Sequence, residues 1–214
     1  MKKTLLGSAI ILFSIISCKE PPKGTISPTP VDTLSSRLTK YSVDTSQSKI
    51  NWTGYKIQNS LYLNHFGTIL FKEGTLIFKN THLDSGTLIA DMSSLQDKDE
   101  ENPEANKKLT EHLKGTDFLD VTAYPDAVFT ITSSRTIEGL SDFNMEMTGT
   151  LKLKNIVRPV SIKANVRTEK ATLFLNTEKF SLNRQDFGIT YRGIKDILIN
   201  DNLDLQVSIM ANLN

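Results

Sequence analysis

Between Met145 and Lys154 the chain alternates. Met145, Met147, Leu151 and Leu153, with Gly149 among them, fall on one face, while Glu146, Thr148, Thr150, Lys152 and Lys154 fall on the other. Successive side chains of a strand point to opposite faces, so this pattern predicts a strand with one buried and one wet face. The same period returns at Val160, Ile162, Ala164 and Val166, and again at Leu203, Leu205, Val207, Ile209 and Ala211. Shorter versions occur at Ile50–Trp52, Ile69–Phe71, Leu76–Phe78, Leu88–Ala90–Met92, Phe129–Ile131 and Ala171–Leu173–Leu175. Turn-forming stretches, Lys72-Glu73-Gly74, Asp84-Ser85-Gly86 and Arg135 to Gly139, separate many of them. Such strands, almost without helices between them, build an all-β antiparallel domain that stacks as a sandwich or closes into a barrel. Closure removes exposed edges.

One segment breaks the period. Asn102 is placed as an N-cap, Pro103 as the first helical residue, Leu109 and Leu113 lie four apart, and Gly115 marks a stop. This predicts a short helix within a long connection from about Ser93 to Ala127, and long ordered loops often cover binding sites.

The first residues follow another logic. Met1-Lys2-Lys3 is basic, Leu5 to Ile16 is largely apolar, and Ser17 precedes Cys18, which is the layout of a bacterial export signal. The run is too short for a membrane span, which needs about 20 apolar residues. Cys18 is the sole cysteine, so no intrachain disulfide can form. Ile15-Ile16-Ser17-Cys18 resembles the lipobox of bacterial lipoproteins. That resemblance implies cleavage after residue 17, a diacylglyceryl group on the Cys18 thiol and a fatty acid on its amine. Two or three acyl chains hold a protein stably on a membrane where one does not. The expected organisation is thus a signal at 1–17, a lipidated Cys18 with a flexible tether through residue 40, rich in Pro21, Pro22, Pro28 and Pro30, and one domain at 41–214.

Charge and motifs narrow the function classes. Without Lys2 and Lys3 the chain has 23 basic and 24 acidic side chains, so it has no basic excess to bring nucleic acid. It has no Gly-x-Ser-x-Gly, His-Glu-x-x-His, phosphate loop or dinucleotide fingerprint, which argues for binding over catalysis. His65, His82 and His112 lack the spacing of metal ligands, and neither a metal nor a cofactor is expected. Trp52, Phe71, Phe78, Met92, Phe129, Met147, Leu173 and Phe180 are the large side chains expected to point inward. Alternation alone does not decide whether they fill the interior or line a cavity. Arg184 and Asp186, two apart on an expected strand, are read as an ion pair at one end of the domain, with a ligand headgroup as the alternative partner of the arginine.

Three stretches in order, Glu111 to Ile131 (EHLKGTDFLDVTAYPDAVFTI), Thr148 to Ile162 (TGTLKLKNIVRPVSI) and Asn183 to Ile189 (NRQDFGI), resemble the YceI-like family of bacterial envelope proteins, over roughly Tyr41 to Ala211. The resemblance implies a lipocalin-like barrel of about eight strands. It also implies an isoprenoid lipid, of the quinone or polyprenyl type, as the bound partner, with the inward residues as its contacts. His65 and His112 match family positions, which implies a role in orienting backbone or capping the barrel mouth. With Lys19 and not Asp after Cys18, an outer-membrane anchor facing the periplasm is expected, with the cell surface as the alternative. The competing reading is a filled barrel that docks a protein through residues 93–127.

Overall fold

The computed structural model describes residues 37–139 and 141–214; the expected export signal, Cys18 and the expected tether up to residue 36 lie outside the described residues. Among the described residues ten strands and one α-helix follow in order: β1 Leu38–Val43, β2 Lys49–Gln58, β3 Leu61–Lys79, β4 His82–Asp97, α1 Pro103–Lys114, β5 Asp126–Thr136, β6 Met145–Leu153, β7 Ile156–Glu169, β8 Thr172–Thr177, β9 Phe180–Asn183 and β10 Ile197–Leu213. Eight of the strands form an antiparallel ring, β10-β2-β3-β4-β5-β6-β7-β8, which closes where Thr172–Asn176 pairs with Ser208–Asn212. The two remaining strands complete it. β1 continues past the end of β2, pairing with β3 and with the last residues of β10, while β9 pairs with β10 at Asn202–Leu205, beyond β8. All strand partners lie within the compact unit Ser36–Asn214, so this unit carries its own core.

The alternation read at Met145–Leu153, Val160–Val166 and Leu203–Ala211 corresponds to β6, β7 and β10. Two expected turns are instead bulges inside long strands. Lys72-Glu73-Gly74 lies within β3, where the register against β4 shifts between Phe71 and Glu73, and Asp84-Ser85-Gly86 lies within β4. The glycine at 74 serves close packing: a Cβ there would come within 2.6 Å of Val43 Cγ2 and 3.0 Å of Leu88 Cδ2. An extra residue on one strand bends it and increases its twist, which is how a 19-residue strand wraps a barrel. The sheet also begins at Leu38, ahead of the expected start at Tyr41, and β4 runs on to Asp97, so the long connection is shorter than expected.

The barrel interior divides along its axis. At the pole with the β3–β4 turn, Leu76, Leu83, Ile131, Met147, Leu173 and Leu175 are fully buried and pack with Tyr41 and Phe78 into a solid core. Arg37 lies at this pole, donating its N–H to Asn80 Oδ1 (3.2 Å) and accepting from Asn80 N (2.8 Å). The opposite pole carries the β2–β3 hairpin, and α1 packs against β4 nearby.

The helix starts where the sequence places it. Asn102 Oδ1 accepts from the N–H groups of Glu104 (3.0 Å) and Ala105 (3.1 Å), satisfying two donors with no intrahelical partner. Asn102→Ala is therefore expected to cost about 1 kcal/mol, felt locally. Hydrogen exchange should show faster turnover of the amides of Glu104 to Lys107, with the barrel strands unchanged.

Candidate functional site

The inward alternation of β2 to β7, β9 and β10 leaves a cavity of about 390 Å³ between the solid pole and the hairpin pole. That volume lies in the range of small-molecule sites. Its floor is the upper surface of the solid core, at Phe71, Leu88, Phe129 and Ile162. Its walls are apolar, with Trp52, Ile69, Ala90, Met92, Leu153, Leu182 and Leu205 among them. Two lids cover it. One is α1 with its following turn, contributing Leu109, Leu113, Phe118 and Leu119; the other is the segment from Phe187 to Ile194.

Of the eight inward candidates, Trp52, Phe71, Met92, Phe129 and Phe180 line the cavity. Phe78, Met147 and Leu173 do not. They alternate inward as expected, but at the filled pole, where they pack in the core and do not line the cavity. The first lid belongs to the long connection that the sequence marks as a cover, with the Leu109 and Leu113 spacing as its signal; the second, with Phe187, Ile189 and Tyr191, lies in irregular backbone with no period to read.

His112 lines the cavity and joins the lids. Its ring meets Phe118 (centroids 5.0 Å) and Tyr191 (4.9 Å) edge-on, and Phe118 and Tyr191 lie 5.3 Å apart. Edge-to-face aromatic groups are favourable beyond their burial. The cluster thus holds helix and loop together over the void.

Arg184 is not on a strand and does not pair with Asp186. Residues Arg184–Phe187 form a 3₁₀ turn, capped by Asn183 Oδ1 accepting from Gln185 N (2.9 Å). With three residues per turn, positions two apart diverge. Asp186 therefore points to solvent while Arg184 is buried. Gly188 ends the turn with φ of 73°, a left-handed conformation suited to glycine. The Arg184 guanidinium donates from Nε to Asn200 O (2.9 Å), from Nη1 to Ile189 O (2.6 Å), and from Nη2 to Ile199 O (3.3 Å) and Asp201 Oδ1 (2.9 Å). Burial lowers its pKa from the ordinary value, and Asp201 opposes that effect. Arginine remains charged throughout. The side chain pins the second lid to the start of β10 at the edge of the cavity.

His65 sits at the mouth in a charged knot that sequence spacing conceals. Lys56 Nζ lies 2.9 Å from His65 Nε2, and an ammonium only donates. Nε2 therefore accepts, and Nδ1–H donates to Asp99 Oδ2 (3.0 Å), whose Oδ1 takes the N–H of Phe66 (2.7 Å). Asp97 Oδ2 accepts from Glu100 N (2.9 Å) and Asn106 Nδ2 (3.1 Å), while its buried Oδ1 has no donor and lies 4.0 Å from His65 Nδ1. The ligand atoms of His65, Asp97 and Asp99 lie within 4.8 Å of one another, as in a cation site. With Nδ1 carrying the proton that Lys56 forces onto it, the geometry instead holds a proton.

Burial raises the Asp97 pKa, with the neighbouring Asp99 adding to it and the Glu100 N–H opposing. Burial acts to raise Asp99 as well, but the Phe66 N–H, Asp97 and His65 outweigh it and hold Asp99 below the usual range. A carboxyl with a raised folded pKa destabilises the fold once pH rises through that pKa. Asp97→Asn keeps an acceptor for Glu100 N and supplies an N–H toward Asp99. It is expected to stabilise the domain by about 1 kcal/mol at pH 7, with the gain shrinking at acid pH. Thermal unfolding at pH 7 and pH 4 checks this, and a lower midpoint at pH 7 would contradict it.

Together the closed antiparallel ring, the apolar cavity and the capped mouth define a lipocalin-like barrel with an enclosed apolar cavity. Comparison with known proteins gives the family: the YceI-like domain profile matches residues 41–211, and the chain belongs to the YceI-like family. It is 33% identical over 106 residues to a UPF0312 protein of Pseudomonas putida, covering 46% of this chain and 50% of that protein. It is 28% identical over 170 residues to the protein YceI of Salmonella newport, covering 78% and 73%. The chain thus spans about half the length of the first of these relatives and more of the second. Among solved structures, BcnA of Burkholderia cenocepacia superposes with a TM-score of 0.62 at 19% identity, over 78% of this chain and 98% of that one. A polyisoprenoid binding domain from Saccharophagus degradans, implicated in plant cell wall breakdown, superposes with a TM-score of 0.54 at 14% identity, over 81% and 98%.

Proposed function

We propose that the cavity binds the chain of an isoprenoid lipid, of the quinone or polyprenyl type, and that the protein is an envelope lipoprotein held through acylated Cys18 at the outer membrane. The observation that carries the binding is the cavity itself: an apolar void of about 390 Å³, floored by packed core and covered by lids. Exposing a long apolar tail to water costs about 0.8 kcal/mol for each CH₂, and enclosing it removes that cost. The polyisoprenoid binding domain of the same fold supports the class of ligand. The filled-barrel alternative describes only the β3–β4 pole; the hairpin half is hollow.

The test is native mass spectrometry of the Ser36–Asn214 unit, followed by organic extraction. A co-purifying or added isoprenoid at about one per barrel supports the reading. A domain that takes up neither ubiquinone nor polyprenol, while binding a fatty acid or nothing, overturns it. Anchoring is tested separately: the full chain labelled with radioactive palmitate in a bacterial host should lose the label on Cys18→Ser.

A further inference from the structure

The β2–β3 hairpin ends in a two-residue turn, Asn59-Ser60, with φ of 50° and 66°. That geometry matches the twist of a tight hairpin and makes the tip a stiff ribbon. From Ile57 to Asn64 it carries no charge. Leu61 and Tyr62 are each 62% exposed, and Leu198 and Ile194, on the adjoining β10 and lid, are 55% and 65% exposed. A contiguous apolar patch left open to water marks an interaction site.

The faces of the ribbon identify the partner. Leu61 and Leu63 share the face of His65 and Gly67, continuous with the cavity wall. Tyr62, Ile57 and Leu198 form a row across three strands on the other face, with Tyr62 stacked on Tyr55 at 5.6 Å. A second copy or a globular protein laid against the hairpin covers one face and leaves the other wet. A bilayer receives both. Lys195 and Asp196 lie level with the tip, where Asn59 N donates to Asp196 O (3.4 Å), while Lys56 and Arg192 stand behind it, at the level where cations meet lipid phosphates. Ile194, which is exposed, also lines the cavity, so the patch runs unbroken into the mouth.

We propose that this hairpin tip, with Leu198 and Ile194, is a membrane-docking element that enters the surface of a phospholipid bilayer and opens the cavity directly onto the acyl region. A hydrophobic ligand then passes between bilayer and barrel without crossing water. The element does not depend on the identity of the ligand. It is compatible with an anchor at Cys18, should the proposed acylation hold. The 19 Cα steps from Cys18 to Arg37 reach about 65 Å when extended, against roughly 60 Å along the 19 residues of β3 from the tip to the pole where Arg37 is held.

The experiment is flotation of the Ser36–Asn214 unit with vesicles of phosphatidylethanolamine and phosphatidylglycerol, beside the double variant Leu61→Asn/Leu198→Asn. Neither leucine lines the cavity. The wild type is expected to float with the vesicles and the variant to partition at least tenfold less, with an unchanged thermal midpoint and unchanged lipid content by extraction. Leu61→Trp should shift its emission to the blue on adding vesicles. A wild type that stays in the aqueous fraction, or a variant that floats equally well, overturns the proposal. So does a concentration-dependent dimer that the same substitutions abolish while vesicles leave the wild type unbound, which assigns the patch to a second copy. Ligand uptake measured by mass spectrometry without vesicles separates any failure here from failure of the cavity reading.

Discussion

Leu205→Trp is expected to abolish the proposed lipid binding while leaving the fold intact. Leu205 lies on β10, between Trp52 of β2 and Phe180 of β9, and its side chain enters the cavity. A larger side chain in a packed core strains it by about 1–3 kcal/mol. Here the added ring has a void of about 390 Å³ to occupy, so that strain is largely avoided. Lipid recovered per mole of protein should fall at least tenfold, with the thermal midpoint within a few degrees of the wild type. Binding that survives at one lipid per barrel would show that the ligand sits elsewhere.

Arg184→Met should have the opposite profile, with a large loss of stability. Methionine replaces the stem but none of the donors, so the carbonyls of Ile189, Ile199 and Asn200 lose their guanidinium partners together. Leaving buried acceptors unpaired costs about 1–3 kcal/mol each, part of which water recovers near the mouth. Asp201 is 45% exposed and stays solvated, so the three carbonyls set the expected loss, about 3 kcal/mol. For a domain of this size each kcal/mol moves the midpoint by about 2–4 °C, so circular dichroism should record a drop of roughly 10 °C. Arg184→Lys keeps the charge without the planar fork and should recover only part of it. A loss below about 1 kcal/mol would mean that the second lid is held by its apolar contacts alone.

These two residues show what the sequence made legible. Leu205 belongs to the stretch Leu203–Ala211, where the period-two pattern runs uninterrupted, and the inward face of that part of β10 follows from it directly. Alternation reports direction and not depth along the barrel axis. Met147 and Phe129 therefore look alike in sequence, although one is sealed in the solid pole and the other floors the cavity. The same limit applies to Phe78 and Leu173. Bulges escaped for a different reason: Lys72-Glu73-Gly74 has the composition of a turn, and only the packing of Val43 and Leu88 against Gly74 shows that the strand continues. Spacing pairs Arg184 with Asp186, whereas its partners come from residues 189 to 201, brought round by a turn that Gly188 permits. The His65, Asp97 and Asp99 knot joins two strand ends that are distant in sequence, and no local motif foretells it.

The long final strand has a consequence for the order of events during folding. β10 is hydrogen-bonded to β1 and β2 on one side and to β8 and β9 on the other, so both seams of the ring close on the last 17-residue strand of the sheet. Until that strand has emerged, β2 and β8 present open edges and the core has no fourth wall. Pairing the two ends of the chain makes folding slow relative to local structure formation. The ring consequently stays open until β10 has paired at both seams. A chain cut short of Ile197 would keep those edges permanently and would be a template for aggregation.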